Sequence, residues 1–118
     1  MIKSIVPKLP FIDKQKTLDF YVNHLEFTLR SDYGNYLIMD LGDVELQFFS
    51  FPALIPTKSD FMIYLRMDEG IEALYDRLLK SSPSVRVSVK LESKPWGQKE
   101  FSIIDPNGTC LTIGQPYP

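Results

Sequence analysis

The chain has 118 residues, of which 44% are hydrophobic, and its formal net charge is −2. This length suits one domain with its own core, and the single cysteine excludes an internal disulfide. Scattered charges of both signs argue against a nucleic-acid partner, and without a long apolar run or an apolar leader we expect a cytoplasmic protein with no membrane partner.

The first 50 residues predict the element order β-α-β-β-β. The apolar stretch "SIVPKLPFID" is typical of a strand, but Pro7 and Pro10 cannot donate ladder hydrogen bonds, so we expect it at a sheet edge or on a bulged path. A helix follows, with Asp13 as its N-cap and an apolar stripe at helical spacing. The stripe consists of Leu18, Tyr21, Val22 and Leu25. Three short strands then fill "FTLRSDYGNYLIMDLGDVELQFFSF".

The second half predicts the same element order. A strand in "DFMIYLRM" precedes a helix in "DEGIEALYDRLLKS", and "SVRVSVKLE" alternates with period two. The helix stripe consists of Ile71, Leu74, Leu78 and Leu79. The segment "KEFSIIDPNGTCLTIG" predicts a hairpin, because "DPNG" has the residues that a type I turn prefers.

This repeated order predicts an α+β fold made of two βαβββ modules in a single domain, residues 1–118. We place the first module at residues 1–50, a linker rich in proline at 51–60 and the second module at 61–118.

Strand alternation separates a core face from a mixed face in each module. The predicted core set is Val44, Leu46, Phe48, Ile63, Leu65, Met67, Thr109, Leu111 and Ile113. The opposite set is Glu45, Gln47, Phe49, Met62, Tyr64, Arg66, Cys110 and Thr112. Apolar bodies with a few polar groups are typical of a ligand cavity, although a solvent-facing or dimer-facing surface has the same composition.

No motif of the sequence identifies a catalytic centre. We expect the only histidine, His24, on the surface of the first helix, and Cys110 as an inert small hydrophobic residue. Glu45 forms either an acid–base group or a satisfied ion-pair network with neighbours on its face. Those neighbours are Lys8, Tyr64 and Arg66.

Several segments, in order from about residue 6 to residue 115, carry a resemblance to a known family. They are "VPKLPFID", "TLDFY", "GDVELQFFSFP", "LRMDE" and "WGQKEFSIIDPNGT". The chain resembles the vicinal oxygen chelate (glyoxalase/bleomycin-resistance) superfamily, and within it the bleomycin-resistance proteins. The resemblance implies a cup-shaped mixed sheet, a homodimer that pairs modules of different chains by swapping, and sequestration of a flat, cationic antibiotic without chemistry.

The superfamily also contains metal-dependent enzymes, whose ligand positions correspond here to Val6, Gln47, Met62 and Thr112. Val6 has no donor atom and Met62 offers only a soft thioether, so we expect no metal, no cofactor and no catalytic residue. A metal-dependent glyoxalase-type or dioxygenase-type enzyme is the alternative.

A binding role requires aromatic surfaces for stacking, and Trp96 matches the tryptophan of the family's "WG" motif. The other candidate ligand-binding residues are Tyr36, Phe49, Phe51, Phe61, Asp60, Gln47 and Glu45. Lys94 and Lys99 flank Trp96 and favour a neutral or anionic aromatic guest over a cation. The alternative for Trp96 is a buried core position.

Overall fold

The computed structural model describes residues Met1–Pro118, which form two four-stranded sheets and few helices. The strands are β1 (Lys8–Phe11), β2 (Thr28–Asp32), β3 (Tyr36–Leu41), β4 (Val44–Ser50), β5 (Met62–Arg66), β6 (Arg86–Ser93), β7 (Gln98–Ile104) and β8 (Cys110–Pro116). The helices are α1 (Lys14–Leu18), its π-helical continuation (Asp19–His24), a 3₁₀ turn (Pro56–Lys58) and α2 (Ile71–Leu79). None of the helices has the length and apolarity needed to cross a bilayer.

The two sheets have the same topology, with strand orders β1-β4-β3-β2 and β5-β8-β7-β6. In each sheet the first strand runs parallel to the last, and the other neighbours are antiparallel. The predicted fold, with two βαβββ modules that each form a mixed sheet, is therefore confirmed. The edge position of β1 is confirmed too, and it agrees with the two prolines in or beside that strand.

Helix α1 begins as predicted, because the Asp13 side chain accepts a hydrogen bond from the Lys16 backbone N–H at 2.9 Å. Its end differs from a regular helix, since the Leu25 N–H bonds to the Phe20 carbonyl five residues earlier. The wider turn shifts the buried face of the helix. The buried residues of this segment are Thr17, Phe20, Tyr21 and Leu25, whereas Leu18 and Val22 are only half-buried.

Two predicted core positions are wrong. Leu79 is exposed, because it lies about 80° around the helix from Ile71, whereas Leu78 lies almost above Ile71 and is fully buried. Val44 is exposed because it opens β4 next to the β3–β4 turn, where its partner Leu41 is exposed too. The other residues of the predicted core set are buried or pack against the core.

One continuous core of 17 buried residues extends through both modules. Tyr21 lies in it without any exposed surface, and its ring meets Phe48 edge-on, with ring centroids 4.7 Å apart. The Tyr21 hydroxyl needs a hydrogen-bond partner inside this core.

That partner is Asp105, which opens the predicted type I turn of the second module. The Gly108 N–H bonds to the Asp105 carbonyl at 3.1 Å and closes the turn. The Asp105 carboxylate accepts hydrogen bonds from the backbone N–H groups of Asn107 (2.8 Å) and Thr109 (2.9 Å), and the Tyr21 hydroxyl donates to it at 2.7 Å. Burial, followed by the charge of Asp105, raises the pKa of Tyr21 well above its ordinary value, so the phenol remains a donor.

The buried side-chain amide of Asn107, in the same turn, forms hydrogen bonds with the first module. Asn107 Oδ1 accepts a hydrogen bond from the Ile12 backbone N–H at 2.9 Å, and Asn107 Nδ2 donates to Thr17 Oγ1 at 3.2 Å. Gly108 adopts φ +84°, and a Cβ atom there would lie 2.1 Å from the Pro56 carbonyl oxygen. The turn, which we name the DPNG clamp (Asp105–Gly108), therefore joins the two modules.

We expect Tyr21→Phe to lower the free energy of unfolding by about 1.5–3 kcal/mol, because it removes a hydrogen bond to a buried carboxylate. Urea denaturation measures this change. The matched control is Tyr33→Phe, at a tyrosine that is 69% exposed. Equal stability of the two variants would contradict the role of the Tyr21 hydroxyl.

Candidate functional site

Each sheet turns one face to the core and leaves the other face open. On β4, Leu46 and Phe48 are fully buried, whereas Glu45, Gln47 and Phe49 are half-buried on the opposite face. On β5, Met62, Tyr64 and Arg66 are exposed. We call these surfaces the first open face and the second open face, according to their module.

A chain of polar contacts crosses the first open face. The Tyr36 hydroxyl donates to Gln47 Oε1 at 2.5 Å, and Gln47 Nε2 donates to Glu45 Oε2 at 2.8 Å. Arg30 bridges Glu45 (3.1 Å) and Asp40 (3.3 Å). The hydrogen bond from Gln47 and the Arg30 guanidinium lower the pKa of Glu45.

Of the two alternatives for Glu45, these contacts favour the satisfied ion-pair network over an acid–base group. The partner of Glu45 is Arg30, which the sequence reasoning did not single out, instead of Lys8, Tyr64 or Arg66. The Lys8 ammonium lies 5.7 Å from the centroid of the Tyr36 ring.

Three of the predicted aromatic residues form a cluster at the boundary between the modules. The Phe49 ring lies 6.2 Å from the Phe51 ring and 6.1 Å from the Phe61 ring, measured between centroids. All three are half-buried, and Tyr36 pairs with Phe49 across β3 and β4. Asp60 is exposed beside this cluster, before Phe61.

Trp96 lies apart from that cluster, on the second module. Its side chain is 64% exposed, which overturns the core alternative, and no pair of contacting aromatic rings includes it. The indole Nε1 donates a hydrogen bond to Glu100 Oε2 at 3.0 Å. The Tyr64 hydroxyl donates to the same oxygen at 2.7 Å.

Sequence reasoning missed Glu100, which is only 9% exposed. Strand alternation applied to β7 would have pointed to it, because Glu100 and Ser102 lie on the face opposite to Phe101 and Ile103, which belong to the core. Ser102 Oγ in turn lies 2.9 Å from Thr112 Oγ1 across the β7–β8 pair.

The two lysines near Trp96 both have acidic partners. Lys94 forms an ion pair with Glu92, and Lys99 forms one with Glu72 on α2. The hydrogen bond from each lysine lowers the pKa of the partner carboxyl. This pairing offsets the positive charge on which the expectation of a neutral or anionic guest rests, and the Lys94 ammonium lies 5.9 Å from the Trp96 ring centroid. The charge of the guest stays a prediction.

The residues at the four metal-ligand positions do not fit a divalent cation. Val6 has no donor atom, and the Met62 thioether is soft and 73% exposed. The Gln47 amide is already engaged by Tyr36 and Glu45, and Thr112 is engaged by Ser102. No group of three or more His, Cys, Asp or Glu side chains elsewhere has a geometry that would hold a metal ion.

The only histidine and the only cysteine are two further side chains that could act as a base or a nucleophile. His24 is half-buried on the helix surface, with Nε2 3.6 Å from Asp19 Oδ2. Cys110 is a half-buried free thiol at the start of β8.

The cavities of the single chain reach the open faces of β4 and β5 only at Arg66, which lines two of them. Another cavity has a volume of about 580 Å³ and lies between α1, the 3₁₀ turn and the DPNG clamp. None of the five principal cavities contains Trp96, Phe49 or Gln47. The predicted ligand-binding residues therefore line none of these cavities, and only Tyr36, Glu45, Gln47 and Phe49 among them lie on strands.

Comparisons with known proteins agree along nearly the whole chain. Residues 6–112 match the profile of the Glyoxalase/Bleomycin resistance protein/Dioxygenase superfamily. A bleomycin resistance protein of Klebsiella pneumoniae is 32% identical over 122 residues, covering 98% of this chain and 94% of the relative. A bleomycin resistance protein of Geobacillus stearothermophilus is 25% identical, covering 98% and 97%.

Solved structures show the same architecture. The bleomycin resistance determinant encoded on transposon Tn5 superposes with a TM-score of 0.83 at 27% identity, covering 99% of this chain and all of that chain. A bleomycin-binding protein complexed with bleomycin superposes with a TM-score of 0.81 at 31% identity, covering 98% of this chain and all of that chain.

We expect Tyr64 to ionise at a higher pH than an ordinary tyrosine. Partial burial, followed by its hydrogen bond to Glu100, raises its pKa, although Arg66 opposes the shift. The difference in ultraviolet absorbance between wild type and Tyr64→Phe, recorded against pH, isolates this one phenol. In Glu100→Gln the titration should move back towards lower pH, and an unchanged midpoint would contradict the assigned cause.

Proposed function

The chain belongs to the glyoxalase/bleomycin resistance protein/dioxygenase superfamily, and on that premise we propose that it binds and sequesters a small, partly aromatic antibiotic of the bleomycin type without altering it chemically. The end-to-end similarity to a bleomycin-binding protein supports this choice within the superfamily.

The observation that carries the proposal is the state of Trp96. A tryptophan is normally buried to a large extent, yet this ring is 64% exposed while its N–H is held by a buried carboxylate. A side chain that is both fixed and exposed suits stacking against a guest. Each such aromatic contact contributes about 0.5–1.5 kcal/mol beyond the area that it buries.

The first open face supplies the remaining proposed contacts. The cluster of Phe49, Phe51 and Phe61 offers apolar ring surface, and Tyr36 with Gln47 offers polar atoms beside it. We assign the acidic residues Glu45 and Asp60 to attraction of positively charged groups on the guest. With both lysines near Trp96 paired, a cationic antibiotic meets little repulsion there.

Binding without chemistry is consistent with how the polar groups are used. Glu45 is hydrogen-bonded to Gln47 and ion-paired with Arg30, and its lowered pKa makes it a poor proton donor near neutral pH. The four positions that would hold a metal lack a suitable donor set. The proposal therefore includes no catalytic residue and no cofactor.

We further propose that two copies of the chain form the binding site as a homodimer, each chain being a single domain of two βαβββ modules. A guest needs a concave site, and the aromatic candidates line none of the five principal cavities of one chain. Pairing the first open face of one copy with the second open face of the other would enclose both aromatic sets. The cytoplasmic location expected from the sequence remains a prediction.

Titration with bleomycin tests the ligand proposal. Since Trp96 is the only tryptophan, saturable quenching of its fluorescence reports binding at this residue. We expect one guest per site, and we expect Trp96→Ala to weaken binding roughly tenfold in calorimetry, a loss of about 1.4 kcal/mol. Trp96→Phe serves as the conservative control that retains a ring.

Two results would contradict the ligand proposal. One is the absence of both quenching and heat with bleomycin. The other is a stoichiometric divalent ion in the purified protein that is lost on replacement of Gln47 or Glu45, which would favour the metal-dependent enzymes of the superfamily instead.

Sedimentation analysis tests the dimer proposal, and we expect twice the mass of the chain. Met62→Glu places a charge on the exposed side of β5 and should shift the equilibrium towards the monomer while weakening bleomycin binding. Leu79→Glu, on the exposed side of α2, is the matched control. A wild type that stays monomeric at every concentration would contradict the proposal.

A further inference from the structure

Two side chains of the second module converge on one oxygen of a buried carboxylate. Glu100 Oε2 accepts a hydrogen bond from the Trp96 indole at 3.0 Å and another from the Tyr64 hydroxyl at 2.7 Å. The donors come from different parts of the chain, since Tyr64 lies on β5 and Trp96 lies in the turn before β7. The shared oxygen therefore links the indole to β5 across the intervening strand β8.

Tyr64 reaches Glu100 by crossing over a glycine. Gly114 on β8 pairs with Arg66 of β5 on one side and with Glu100 of β7 on the other. A Cβ atom on Gly114 would lie 1.8 Å from the Tyr64 hydroxyl oxygen and 2.5 Å from Cζ. Only the absence of a side chain at Gly114 leaves room for the phenol.

Glu100 has no cationic partner within ion-pair distance. None of the seven ion pairs of the chain includes it, although Lys94 and Lys99 lie nearby in sequence. Its burial therefore depends on two neutral donors, and loss of the carboxylate would leave both without their acceptor. Because both donors share one oxygen, the carboxylate fixes the indole relative to the phenol.

We propose that Glu100 is a positioning residue of the binding site, which holds the Trp96 indole against Tyr64 in the orientation on which the guest stacks. This inference rests on the proposed antibiotic-binding function. Glu100 acts through Trp96 without touching the guest. A ring that is already ordered loses less conformational freedom on binding, so the guest binds more tightly than it would to a mobile ring.

The anisotropy decay of Trp96 fluorescence tests the positioning without any ligand, since the chain has no other tryptophan. Glu100→Leu keeps the side-chain size but removes the acceptor, so we expect fast local motion of the indole to appear. Glu100→Gln retains an acceptor oxygen and should restore most of the rigidity. Asp76→Asn, an exposed carboxyl on α2, is the charge-matched control and should leave the decay unchanged.

Gly114→Ala tests the positioning of the indole in a second variant, in which Glu100 is unchanged. The added methyl group displaces the Tyr64 hydroxyl and should loosen the indole as well. This variant keeps the proposal testable if Glu100→Leu does not fold, which circular dichroism establishes for each variant.

Calorimetry with bleomycin then measures the consequence for binding. We expect Glu100→Leu and Gly114→Ala to weaken the affinity roughly 2- to 12-fold, the range that corresponds to ordering one side chain. A smaller loss in Glu100→Gln supports positioning through the shared acceptor. A rigid indole in folded Glu100→Leu would overturn the proposal, as would unchanged affinity despite a mobile indole.

The two proposals fail in different ways. If wild-type protein does not bind bleomycin, the proposed function fails, whereas the anisotropy decay still decides whether Glu100 positions Trp96.

Discussion

The buried carboxylate of Asp105 is the point on which the arrangement of the two modules depends. It organises the DPNG clamp through backbone N–H groups and reaches the first module through the Tyr21 hydroxyl. Burial raises the pKa of Asp105, while the hydrogen bonds from Tyr21, Thr109 and Asn107 oppose that shift. With these donors present a carboxylate is tolerated inside the core, where it helps to fix how one module meets the other.

The polar side chains of the two open faces are paired in different ways. On the first face, Arg30 bridges Glu45 and Asp40, so the polar groups form a connected network in which one guanidinium faces two carboxylates. On the second face, Glu100 is buried beneath neutral donors and leaves the Trp96 ring exposed. The first face therefore provides a polar platform beside the phenylalanine cluster, and the second provides one oriented ring.

Local rules predicted the features that depend on neighbouring residues. Strand alternation separated Leu46 and Phe48 from Gln47, and turn preferences located the DPNG clamp. The hydrogen bonds between Tyr21 and Asp105, 84 positions apart, and between Tyr64 and Glu100, 36 positions apart, have no local signature. The partners of Lys94 and Lys99 were missed for a related reason: a net charge near zero says nothing about which charges are paired. Tertiary packing decides the contacts between distant residues, including the pair of Lys99 with Glu72, 27 positions apart. The pair of Lys94 with Glu92 spans only two positions and was within reach of local reasoning.

The core and the proposed binding surface share few residues, and this separation has a thermodynamic consequence. The 17 buried core residues belong to one chain, whereas Trp96 and the half-buried Phe49, Phe51 and Phe61 lie outside that set. Residues of the open faces can therefore change without removing core contacts. In the proposed dimer, a guest that touches both faces binds the associated state and not the separate chains, so guest binding and association strengthen each other by mass action. Sequestration then becomes more complete as the concentration of the protein rises.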